Sequence, residues 1–107
     1  MDFIVSREEL RTHYGATHEI ALKKQLPALD MHAKAFIARS PFVLIGSSDQ
    51  QGNADVTPKG DKPGFVAVLE DTTIAIPDRP GNNRLDTFEN LIENPAVGLL
   101  FVIPGMN

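Results

Sequence analysis

The chain has no cysteine. That absence excludes a disulfide scaffold, a thiolate zinc site, an iron–sulfur cluster and a cysteine nucleophile. It also makes a reducing compartment the default, so the cytoplasm is the expected location. No apolar run approaches the roughly 18 residues that a membrane-spanning helix needs. Residues 1–9 lack the basic segment and long apolar core of a secretory signal, so no membrane partner is expected. Basic residues are scarce as well. Ten Lys and Arg against fourteen Asp and Glu leave a net charge of −4, and a nucleic-acid surface needs a basic stripe instead.

Familiar catalytic patterns are missing too. There is no Gly-x-Gly-x-x-Gly after a strand, no Gly-x-x-x-x-Gly-Lys-Ser/Thr and no His-Glu-x-x-His. None of His13, His18 and His32 has a histidine partner at i, i+4, so no metal site is expected. Ser47 and Ser48 have no base close in sequence to activate them. The acidic pairs Glu8-Glu9 and Glu70-Asp71 suit a first helical turn and a hairpin tip rather than a general acid and base.

What is present is one ordered domain's worth of chain. Its 107 residues allow a modest core, and its 42% apolar content argues against disorder. The expected division is a helical segment over residues 1–40 and a sheet domain over residues 41–107. Ser6 with Glu9 forms a capping box for a first helix, which Gly15 stops. Thr17 caps a second helix that runs to about Gln25. Asp30 caps a third over residues 31–39, with Ala33, Phe36 and Ile37 on one face.

From Phe42 the pattern changes to strands, expected at residues 42–48, 54–58, 65–69, 72–76 and 96–103. An amphipathic helix carrying Leu85, Phe88, Leu91 and Ile92 on one face precedes the last strand, with Asn82 or Asn83 as its cap. Asn94-Pro95 stops it. Short connections favour an antiparallel meander or small barrel, and the lack of βαβ alternation argues against a parallel sheet. The last strand is apolar on both faces. It requires more pairing than an edge provides, so either a longer parent chain or a second copy is expected to complete the sheet.

The chemistry concentrates in two loops. Arg79 and Arg84 lie at the start of the amphipathic helix, where free N–H groups already carry positive character and invite an anion. Asp78 and Asp86 are also close enough in sequence to neutralise both arginines as surface ion pairs. Thr57-Pro58-Lys59-Gly60 ends a strand and offers a hydroxyl and an ammonium, or else a solvated turn. Taken together, the loops lie at strand ends of the same expected meander, which allows Lys59, Arg79 and Arg84 to meet on one anion site.

The ordered segments 40–49, 52–61, 64–69, 76–91 and 94–101 resemble the pyridoxamine 5′-phosphate oxidase-like proteins, in particular a bacterial subgroup described as probable FMN-dependent enzymes. The resemblance spans about residues 30 to 105, the N-terminal portion of such proteins. It implies an α+β chain, mainly β with N-terminal helices, forming an incomplete split β-barrel of the FMN-binding type. It further implies a homodimer with FMN between subunits and oxidoreductase activity on an unknown small molecule. By position, Val56, Thr57 and Lys59 match the strand along the flavin and its phosphate. Ile76 and Pro77 match the strand beside the ring, and Arg79, Asn82, Asn83 and Arg84 match the phosphate loop. Oxidases of pyridoxamine phosphate carry an Arg-Lys pair where this chain has Asn82-Asn83-Arg84 on a longer loop, so the substrate stays open. The alternative is a non-catalytic flavin- or heme-binding module or a structural fragment.

Overall fold

The computed structural model describes residues 3–78 and 85–106. Helices α1 (Arg7–Tyr14), α2 (Glu19–Lys23) and α3 (Met31–Arg39) come first. Strands β1 (Phe42–Ser48), β2 (Ala54–Gly60), β3 (Ala67–Glu70) and β4 (Thr73–Ala75) follow, then helix α4 (Asp86–Glu93) and strand β5 (Gly98–Val102). This is an α+β arrangement with two open antiparallel sheets, as in part of a split barrel.

Local side chains set the helix starts. Ser6 Oγ accepts from the Glu9 N–H at 3.1 Å and so caps α1. The Glu9 carboxylate accepts from Val5 N–H at 3.1 Å, one residue before the expected box partner. Asp30 Oδ1 accepts from Ala33 N–H at 2.8 Å and caps α3. α2 departs from expectation. It starts after His18 rather than Thr17, has no side-chain cap, and is only five residues long. Residues 3–19 and 21–27 are exposed, so no packing supports a longer helix there. α4 also departs: Leu85, not Asn82 or Asn83, precedes it, without a side-chain cap bond. Asn82 and Asn83 lie outside the described residues.

β1 is the centre of the larger sheet, whose order is β2-β1-β5. Both neighbours run antiparallel to it, with Ile45 opposite Thr57 on one side and Leu99 on the other. β3 and β4 pair only with each other among the described residues. Of the expected meander or small barrel, the sequential meander is therefore corrected, because β2 does not pair with β3 and β5 returns to β1, while the open sheets agree with part of a barrel.

The loop after β2 accounts for the break. Asp61 N–H donates to the Pro41 carbonyl at 3.0 Å, and Gly64 N–H donates to the Ser40 carbonyl at 3.2 Å. Gly64 takes a φ of 82°, and a Cβ there would lie 3.0 Å from the Ala38 carbonyl oxygen. Glycine alone permits both the turn and the close approach to the end of α3. β2 runs past its expected end at Pro58 to Gly60, which proline permits because β2 is an edge strand.

The core lies between α3, the inner face of β1 and the smaller sheet. Ile37, Val43, Ile45 and Val66 are buried, with Leu29, Phe65, Val68, Ile74, Ile76 and Phe101 packed around them. Ser40 is also buried and ties the layers together. Its hydroxyl approaches the carbonyls of Phe42 and Val102 at 2.7 Å each, and its oxygen lies 3.3 Å from Phe42 N–H. Lys34 on α3 pairs with Asp71 at the β3–β4 turn, whose carbonyl accepts from Leu29 N–H.

Candidate functional site

The site is built on the period-2 alternation of β2. Asp55, Thr57 and Lys59 are half-buried on the inner face, opposite Ser47, Ile45 and Val43 of β1. Directly opposed residues of an antiparallel pair share a face, so Thr57 and Lys59 look toward the core side of the sheet. The chain just past β4 brings Ile76 and Pro77 to the same side, both half-buried. α4 forms the remaining wall with Thr87, Phe88 and Leu91.

Together these elements enclose a cleft of about 470 Å³, lined also by Ile45, Ile74, Asp78, Pro95, Val97 and Leu99. That size lies within the range of small-molecule sites. Its walls are mostly aliphatic and aromatic, and Lys59 is the one basic side chain among the described lining residues. Among the described residues Lys59 has no carboxylate within ion-pair distance. A half-buried cation among apolar walls, with no ion-pair partner among the described residues, suits a ligand with an apolar body and an anionic group. The carboxylate of Asp78 is the opposing charge on this wall.

Four of the residues singled out in the sequence therefore share one cleft: Thr57, Lys59, Ile76 and Pro77. Val56 does not join them. It lies on the opposite face of β2, 64% exposed, across from Gly46, which in turn faces Gly98. Arg79, Asn82, Asn83 and Arg84 fall outside the described residues. The lining residues Ile45, Phe88, Leu91, Val97 and Leu99 carry apolar periodicity in the sequence. That pattern marks them as packing residues and gives no sign that they border a cavity.

α4 reaches this position through polar contacts. Asn90 Nδ2 donates to Ser47 Oγ at 3.0 Å, and Asn94 Nδ2 donates to Ser48 Oγ at 3.0 Å. Glu93 Oε2 accepts from the Gln50 backbone N–H at 3.1 Å. No residue of α4 is buried, so these bonds complement a thin apolar contact. No group of three or more His, Asp or Glu among the described residues is placed to hold a metal ion. No helix is long and apolar enough to cross a membrane among the described residues.

Two open antiparallel sheets, with a cleft in which Lys59 is the one basic side chain among the described lining residues, define a small β-rich domain. The family model for pyridoxamine 5′-phosphate oxidase matches residues 29–106, and the chain belongs to that family as its N-terminal portion. No curated protein and no solved structure matches the chain.

Proposed function

We propose that the cleft binds FMN and that the chain is the flavin-binding part of an FMN-dependent oxidoreductase acting on a small molecule. Flavin binding is general in the family to which the chain belongs, and that membership supports the reading. The observation that carries it here is the meeting of Thr57, Lys59, Ile76 and Pro77 in one apolar cleft, where the Lys59 ammonium has no ion-pair partner among the described residues. When bound, FMN supplies the hydride chemistry, and the protein supplies orientation and exclusion of water. Lys59 holds the phosphate, with Arg79 and Arg84 as further cations and Asn82 and Asn83 as polar contacts. Thr57 hydrogen-bonds the polar edge of the flavin. Ile76 and Pro77 pack beside the ring.

We also propose a cytoplasmic homodimer. Val56, Pro58 and Leu100 are exposed on the outer face of the larger sheet. A second copy covering that face would bring Val56 into an interface, where it would border a flavin held between subunits.

The test is the visible absorbance of the purified protein, read with its mass in solution, before and after adding NADH or NADPH. The expected outcome is a flavin spectrum that bleaches on reduction and a mass of two chains. A folded, colourless protein that stays colourless after incubation with FMN would overturn the assignment.

A further inference from the structure

We infer that the substrate of the flavin site is an uncharged lipophilic molecule, whose hydrocarbon part lies in a second cavity joined to the cleft. This deepens the flavin reading above and rests on it. The second cavity, an annex of about 400 Å³, shares Ile74 of β4 and Leu99 of β5 with the cleft. The two spaces therefore meet along those side chains. The other walls of the annex are Leu29, Ala33, Phe36, Ile37 and Phe101. None of these side chains carries a nitrogen, oxygen or sulfur atom.

Two periodicities produce this lining. Ala33, Phe36 and Ile37 recur at helical spacing along α3, and Leu99 and Phe101 alternate onto the inner face of β5, opposite Ile45 and Val43. Helix and strand thus turn hydrocarbon toward one space. The core closes around Val43 and Ile37, yet Phe36 and Leu99 stay 37% and 36% exposed. A void left by imperfect packing seldom exceeds one water's share of about 30 Å³, so the annex is room for a molecule. Water in it finds no side-chain partner and yields to an apolar group.

The two cavities differ in what they can receive. The cleft carries Thr57, Lys59, Asp78 and Thr87. A flavin phosphate on Lys59 uses the one basic side chain among the described lining residues, and the Asp78 carboxylate repels a second anion. The annex walls offer no side-chain partner to a polar group, and burying an unpaired charge there is costly. The substrate that suits both spaces is uncharged, with its hydrocarbon in the annex and its reacting end across Ile74 and Leu99 in the cleft.

The experiment titrates naphthalene, an uncharged aromatic hydrocarbon, by calorimetry against the FMN-loaded protein and against the Ala33→Leu and Phe36→Gln variants loaded in the same way. FMN affinity and thermal unfolding are read for each protein. Leucine at position 33 fills the annex, and glutamine at position 36 puts an amide in its wall. Both are good helix formers, and neither position lines the cleft. The expected result is naphthalene binding to the loaded protein, weakened by about tenfold or more in each variant while FMN affinity stays within about twofold, since contact with apolar walls drives the binding. Naphthalene that fails to bind the loaded protein, as it would with a further strand or a second copy seated over the annex, overturns the substrate assignment and leaves flavin binding intact. Undiminished naphthalene binding in either folded variant overturns it in the same way. A protein that never takes up FMN overturns the flavin reading and this inference with it.

Discussion

Lys59 illustrates how one residue's environment follows from its neighbours. Its position opposite Val43 on β1 turns it inward, and among the described residues no carboxylate lies within ion-pair distance of it. The alternation of β2 makes this legible in the sequence, since positions 57 and 59 must share a face that 56 does not. Asp49 shows the opposite case, a charge fully satisfied by its own turn. Its carboxyl is held below the ordinary value of 3.8, chiefly by the hydrogen bond from the Asn53 side chain and also by the Asn53, Gln51 and Gly52 backbone. The folded form thus prefers the ionised group. Its contribution to the hairpin is complete above the unfolded pKa and is lost as pH falls through the lower folded value. A carboxyl titration of Asp49 by NMR is expected to give a midpoint below 3.8. A midpoint at or above that value would contradict the hairpin geometry.

Elements with local instructions were readable, and those set by distant contacts were not. Ser6 and Asp30 announce α1 and α3 because a capping side chain and the backbone N–H that donates to it are three residues apart. The start of α4 was misplaced because a cap signal at Asn82 and Asn83 competes with the contacts of Asn90 and Asn94, which hold the helix from β1. The prediction at this scale concerns α3, which carries Ile37 into the core. Asp30→Ala removes the bond to Ala33 N–H and is expected to cost about 1 kcal/mol. Equilibrium urea unfolding checks it, and unchanged stability would show that packing alone sets the start of α3.

Across the whole molecule, strand positions were legible but their partners were not. The five apolar runs appear in the expected order, yet β5 pairs with β1 across more than fifty residues, and a preference for sequential hairpins does not foresee that. Among the described residues no strand pairs with the other edge of β5. β5 has β1 on one edge, and Leu100 is 60% exposed. Such an apolar, uncharged edge and outer face are what a further strand or a second copy would cover. The cleft depends on this same topology. β2, the end of β4, α4 and β5 reach it only because the two sheets separate after Gly60.

The central claim is that Lys59, with Arg84 from the loop before α4, grips the phosphate of a bound flavin. Its most direct measurement is a fluorescence titration of FMN against the unaltered protein and against the Lys59→Ala, Arg84→Ala double variant. Loss of two charge-assisted hydrogen bonds, at roughly 1.5–3 kcal/mol each, predicts affinity weakened by at least about tenfold. Equal affinity in the two proteins would contradict the account.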